Sequence, residues 1–267
     1  MNSSSDPASS GTGTAAPALL GAAVPVAPDA AAVPDAAAPV VGTPWSRLAL
    51  AMGARPALVI AFGAALWAMG RPLLWMNVLI VVIDVVTLAL VHRLLRAEGR
   101  GLTDLLSFRG ADVGWGLLCG LIVLVAWVPA FLIGNLVAYQ GAPPASSYPP
   151  VPLWIGVLSI TIMPVTIGLA EEALYRGYLQ PRLQGRIGLV GAVLAACAVF
   201  GLQHIGFAFP DAQAMVASVV RTFLAGLVFA WLLTWRKRVA PLAVGHWLID
   251  LLGLGLPVLI WSLQQGW

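Results

Sequence analysis

Charge is what this chain has least of. Only 9% of its 267 residues are Asp, Glu, Lys or Arg, where an ordinary soluble domain carries about 25%. That shortage excludes a conventional soluble domain. The formal net charge is +3, and the basic residues gather at the ends of apolar runs. This fits membrane orientation and not nucleic-acid binding. Cysteine is nearly absent too. Cys119 and Cys197 both fall inside apolar runs, which excludes a disulfide framework and reads them as small buried hydrophobes. The first residues lack a basic start, and prolines interrupt their apolar stretches, so no secretory signal is expected there. No inverted internal repeat of the kind common in transporters is visible.

What the chain has in abundance is apolar length. Hydrophobic residues make up 60% of it and the mean hydropathy is +0.92. Residues 1–44 stand apart as an Ala/Pro-rich zone that cannot bury enough surface to fold, which predicts a disordered N-terminal tail. The transmembrane domain is expected over 45–267. A span needs roughly 20 apolar helical residues, and seven are read: 48–70, 73–95, 112–138, 152–180, 187–207, 212–235 and 239–262. Arg55-Pro56 interrupts the first, and Pro164 predicts a kink in the fourth. The fold class is therefore all-α, a polytopic transmembrane helical bundle.

Basic residues orient it. Arg93, Arg96, Arg100 and Arg109 follow the second span, Arg176, Arg182 and Arg186 end the fourth, and Arg236, Lys237 and Arg238 end the sixth. The opposite loops carry almost no charge except Arg71. The positive-inside rule puts the N-terminus in the cytosol and the C-terminus outside. Segment 101–107 is expected to lie on the cytosolic surface as a short amphipathic helix.

Ionisable residues inside spans are functional candidates by default, since each costs about 2.5 kcal/mol or more near the bilayer centre. Here they are Asp84, Glu171, Glu172, His204, Arg221, His246 and Asp250. At 1.5 Å per residue, Glu171 lies about 20 Å from its basic end, His204 about 25 Å, His246 about 10 Å and Asp250 about 16 Å. Given the error in span boundaries, these four share one layer, where the fourth, fifth and seventh helices meet. Glu172 and Arg176 are four apart and can pair, which leaves Glu171 free to face a pocket. His246 and Asp250 are also four apart on one face. Asp84 reads as a helix–helix hydrogen bond and Arg221 as a side chain that snorkels or pairs with an acid.

A carboxylate in an apolar setting is a usable base near neutral pH. One imidazole can assist it, and another can donate to a developing oxyanion. That is a hydrolytic constellation with no side-chain nucleophile. Two histidines and a glutamate are also a zinc-ligand set, although HExxH is absent and the three come from separate helices. Zinc stays open as an alternative to no cofactor.

The ordered pattern of Glu171-Glu172-Ala-Leu-Tyr-Arg176, then Phe200 to His204, then His246 to Asp250 resembles the CPBP family of CAAX proteases and bacteriocin-processing enzymes. The likeness covers about 150–255, the expected catalytic core. It implies an intramembrane endopeptidase open toward the cytosol, of glutamic type, with the metallo type as the alternative. Carried over, Glu171 and His204 activate water, His246 and Asp250 support the oxyanion, and Glu172 and Arg176 give structural support. Asp250 stands where the eukaryotic-type enzymes usually have asparagine, and orienting His246 is its other available role. The implied partners are the lipid bilayer and a peptide or membrane-associated protein substrate, lipidated or not. The implied location is the plasma membrane of a bacterium. The competing readings are a non-catalytic membrane scaffold or bacteriocin-immunity-type protein that keeps the fold, and a proton-coupled transporter.

Overall fold

A computed structural model describes residues 35–144 and 149–265. Over 1–34, the expected disordered tail lies outside the described residues. Among those described there are helices and turns and no strand. The helices are α1 (Trp45–Ala68), α2 (Met76–Arg96), α3 (Leu102–Leu105), α4 (Gly110–Tyr139), α5 (Leu153–Ile160), α6 (Ile162–Glu171), α7 (Gln180–Gln203), α8 (Ala212–Arg236), α9 (Val239–Asp250) and α10 (Leu256–Gln264). Wider π turns join α6 to α7 (Glu172–Leu179) and α9 to α10 (Leu251–Gly255). Large apolar side chains point outward along these helices: Val125 is 67% exposed and Val190 72%. Water does not favour such an exterior, whereas hydrocarbon does, so this is a multi-pass integral membrane protein.

Among the described residues, six continuous helical stretches are long and apolar enough to span a bilayer. The fourth, Ile162–Phe207, has 46 residues, or about 69 Å if straight at 1.5 Å per residue. It is not straight. Gly188 adopts φ 73° and ψ 171°, a conformation open to glycine and closed to residues with a Cβ. Beyond it the chain returns, and the Gln203 amide reaches the Glu171 carboxylate at 2.9 Å. The fourth stretch is thus two antiparallel legs, and the expected count of about seven spans is met with two of them fused.

Pro164 disturbs its helix as expected, but the break falls three residues earlier. Thr161 has φ −107° and ψ −78°. Pro164 has no N–H for the Ile160 carbonyl, and its ring presses on that carbonyl, so α5 and α6 separate between them.

One end of the bundle gathers the basic residues and is clasped by ion pairs. Arg238 meets Asp112 at 2.6 Å, and Arg182 pairs with Glu98. Burial works against the Glu98 carboxylate, but the Arg182 guanidinium holds its pKa below the usual carboxylate value. Segment 101–107 forms only the single turn α3, with Leu105 buried against Gly177. Residues 35–44, placed in the tail by composition, lie against this same end. Ala36 N–H donates to the Lys237 carbonyl and Val40 N–H to the Pro181 carbonyl, both at 2.9 Å.

Close helix crossings depend on glycine. A Cβ on Gly63 would overlap the Gly206 carbonyl, and one on Gly206 would overlap the Val59 carbonyl. Backbones in lipid approach this closely only where side chains are minimal. Gly63→Ala is therefore expected to destabilise the detergent-solubilised protein by about 1–3 kcal/mol, the usual range for overpacking. Gly53→Ala, on the same helix with open space around it, should leave the melting temperature unchanged or raise it. Equal effects of the two substitutions would contradict this packing.

Candidate active site

The site is built around Arg55, a residue that first reads as a defect in an apolar run. Arg55 is 1% exposed in the first half of α1. An unpaired guanidinium there would be severely unfavourable, and every arm of this one is used. Nη1 donates to Asp84 Oδ1 at 2.7 Å and to Thr87 Oγ1 at 3.2 Å, both on α2. Nη2 donates to Glu171 Oε1 at 2.8 Å, and Nε donates to Gln203 Oε1 at 3.0 Å. The Gln203 amide closes the ring on the same Glu171 oxygen, and Tyr175 O–H donates to Gln203 Oε1 at 2.8 Å. Asp84 thus has a strong partner that its own helix does not reveal.

The setting of Glu171 is accordingly not simply apolar. Two donors hold Oε1, while Oε2 has no hydrogen-bond partner and lies 3.5 Å from His246 Nε2. Glu172 pairs with Arg176 as the spacing predicts, but Glu171 is not left free, since Arg55 holds one of its oxygens. Glu172 turns the other way, accepting from Arg176 Nη1 at 3.0 Å and standing 2.8 Å from His246 Nδ1. It falls within the π turn, whose wider winding lets consecutive acids serve opposite sides of one imidazole. Arg176 lies over the rings of Phe200 and Phe229, 4.5 and 4.9 Å from their centroids. Phe229 in turn stacks on His246 at 4.8 Å.

The remaining residues fall nearby. His204 Nδ1 is 2.8 Å from the Phe200 carbonyl oxygen. A carbonyl only accepts, so Nδ1 carries the proton and Nε2 is left as the acceptor. Asp250 Oδ2 has no hydrogen-bond partner and lies 3.6 Å from His246 Nε2. Asp250 therefore stands at the nitrogen that faces Glu171, and orienting the ring at Nδ1 falls to Glu172 instead. Among the described residues, no group of three His, Cys, Asp or Glu side chains is disposed to hold a metal ion.

Glu171, His204, His246 and Asp250 all line one cavity of about 200 Å³. Most of its wall is apolar, with Val123, Trp127, Ile167 and Phe229 among the contributors. The resemblance implies an opening at the basic, cytosolic end. Asn77, Phe207 and Ser218, all near the opposite ends of their helices, also line the cavity. Toward the basic end the bundle is filled by Tyr175, Arg176 and Leu242, each no more than 2% exposed.

This geometry defines a class: a helical membrane protein with a carboxylate–imidazole site sunk between its spans. Residues 152–252 match the family described as Rce1-like, type II CAAX prenyl endopeptidase Rce1-like. That stretch holds the Glu171–Arg176, Phe200–His204 and His246–Asp250 motifs singled out in the sequence. No curated protein and no solved structure matches the chain.

Two site residues escape a reading of the motifs. Gln203 immediately precedes His204 and carries no charge to draw notice. Arg55 did carry a signal, since an arginine and Asp84 in neighbouring spans are complementary charges, each unaffordable alone. Removing the guanidinium strands two buried carboxylates. Arg55→Ala is expected to destabilise by about 3–5 kcal/mol, the range for breaking a buried pair from one side. Asp84→Asn leaves Arg55 paired with Glu171 and should be clearly milder. Thermal unfolding in detergent measures both, and an Arg55→Ala variant as stable as the parent would remove this network from the account.

Proposed function

We propose that the protein is an intramembrane endopeptidase that hydrolyses a peptide bond near the membrane with a glutamate-activated water. The observation that carries the reading is the placement of the unpartnered Glu171 Oε2, 3.5 Å from His246 Nε2 and on the cavity wall beside His204. A carboxylate held at one oxygen and free at the other is a base aimed in a fixed direction.

Water in the cavity gives its proton to Glu171 Oε2, with His204 Nε2 accepting its second hydrogen as a hydrogen bond. The hydroxide so formed attacks the peptide carbonyl carbon. Charge moves to the carbonyl oxygen, and protonated His246 donates to it from Nε2. Glu172 holds that ring through Nδ1 at 2.8 Å, and Asp250 balances the charge of the imidazolium. The Glu171 carboxyl then protonates the departing amine as the C–N bond breaks. Each proton taken from water is returned, and no covalent enzyme intermediate is needed.

No cofactor enters this scheme. The substrate class is a peptide or membrane-associated protein, lipidated or not. The family name supports a CAAX-type protease, and the apolar cavity wall suits residues drawn from or near the bilayer. The location that goes with this reading is a bacterial plasma membrane with the N-terminus in the cytosol.

Purified protein and a peptide library test the proposal. Glu171→Gln and His204→Ala are expected to lower the cleavage rate by about 10³-fold or more, while eluting as the parent does on size exclusion. His246→Ala removes one oxyanion donor, worth about 10²–10³-fold. A chelator should leave the parent rate unchanged. Undiminished cleavage by Glu171→Gln defeats the glutamate role, and loss on chelation with recovery on zinc defeats the metal-free scheme.

A further inference from the structure

Arg71 is the one basic residue in the loops at the end of the bundle away from the charge clasp, and the hydrolytic scheme does not use it. The turn between α1 and α2 sets its place. Gly70 adopts φ 63°, which lets the Arg71 N–H close back on the Leu66 carbonyl at 2.8 Å and end α1 in a glycine cap. Pro72 follows and cannot continue that helix. Arg71 is thereby held on the wall of a second cavity, of about 520 Å³, between the two helices. Phe62, Leu66 and Met69 line it from α1, Val78 and Leu79 from α2, and Trp75 from the turn before α2. Of the described residues on this wall, only Arg71 is charged. No protein acid answers it. No Asp or Glu occurs between Trp45 and Asp84, and Asp84 is held by Arg55. Asp211, the one acid in the loops at this end, caps α8 by accepting from the Gln213 and Ala214 N–H groups. Among the described residues the Arg71 side chain makes no ion pair or hydrogen bond.

The cavity is a groove open to the outside of the bundle, with Met69 64% and Trp75 37% exposed on its walls. Its depth matches one leaflet. Phe62 and Met69 are about 10 Å apart along α1 at 1.5 Å per residue, against roughly 15 Å for half of a hydrocarbon core about 30 Å thick. Aromatic rings mark the headgroup level around its mouth: Trp75 packs on Trp154 at 5.8 Å, and Trp67 on Phe209 at 6.5 Å. Arg71 thus lies at the interface while the apolar groove descends below it. A guanidinium there has the fork geometry and the charge for a phosphate, and the groove has the surface for an acyl chain. We infer that the α1–α2 groove is a phospholipid-binding site, with the lipid phosphate on Arg71 and one acyl chain along Phe62, Leu66 and Leu79. The lipid comes from the leaflet at the end away from the basic clasp, and its binding is independent of any hydrolysis.

Photo-crosslinking tests this. Full-length protein in detergent is titrated with phosphatidylglycerol that carries a diazirine in one acyl chain, irradiated, and mapped by peptide mass spectrometry. The label should saturate first on residues 62–79. Arg71→Gln, which keeps the backbone bond to Leu66, should raise the half-saturating concentration for that segment about tenfold, and Arg71→Lys should raise it less. Arg96→Gln removes the same charge from an exposed position at the basic end and should leave labelling of 62–79 unchanged. A diacylglycerol with the same labelled chain lacks the phosphate. It should label 62–79 about tenfold more weakly than phosphatidylglycerol does and should not respond to Arg71→Gln. A merely structural arginine would weaken both probes alike. Label spread evenly over the outward faces of all spans, equal half-saturation by the two probes, or equal losses of both on Arg71→Gln would overturn the inference. So would a dimer on size exclusion that shields 62–79 from the probe, since the groove would then belong to a second copy of the chain.

Discussion

One buried arginine holds the site together. The Arg55 guanidinium bridges α1, α2, α6 and α7 through Asp84, Glu171 and Gln203. Each of those groups would be unfavourable in hydrocarbon alone, and a half-satisfied network would be worse than an apolar core. The helices that carry the chemistry are therefore tied to the helices before them by charge as well as by shape. The tie also selects geometry. With Oε1 of Glu171 committed to two donors, the carboxylate cannot rotate freely, and its second oxygen has one direction left, toward His246 and the cavity.

His246 receives complementary treatment. Glu172 fixes it at Nδ1, Phe229 stacks on its face, and Arg176 holds both Glu172 and the aromatic rings in register. The two acids of the doublet differ in role because their partners differ, not because of any difference in kind. One is held by an arginine and aims at the cavity. The other is held by an arginine and aims at an imidazole. On the endopeptidase reading, rigid support of this sort sets reacting groups in place before a substrate arrives, which is where most of the electrostatic advantage of such a site originates.

Much of this was legible in the residues. Apolar length gave the spans, because hydrocarbon admits only closed backbone hydrogen bonding. The spacing of Glu172 and Arg176 gave their pairing, and intramembrane charge singled out His204, His246 and Asp250. What could not be read were relations across long separations. Arg55 and Glu171 are 116 residues apart, so the arginine looked like an interruption and not a keystone. Gln203 is uncharged and raises no alarm in a hydropathy profile. The π turn at Glu172 departs from the 3.6-residue winding on which any reading of helix faces depends. Span boundaries blurred at Gly188 for a related reason: apolar residues run straight through the reversal, and only a backbone angle marks it.

The ends of the bundle differ in a way that bears on access. At the basic end, Arg182 pairs with Glu98, Arg238 with Asp112, and residues 35–44 are hydrogen-bonded across the helix termini. Below them Tyr175, Arg176 and Leu242 are fully packed. An extended peptide cannot pass such a layer without breaking several charge-assisted contacts at once. The cavity, by contrast, is lined also by Ser218 and Asn77, in the halves of α8 and α2 away from the basic residues. The packed layer and the cavity therefore lie toward opposite ends of the bundle, and on the endopeptidase reading a substrate that leaves the clasp intact approaches Glu171 from the cavity side or sideways from lipid between helices.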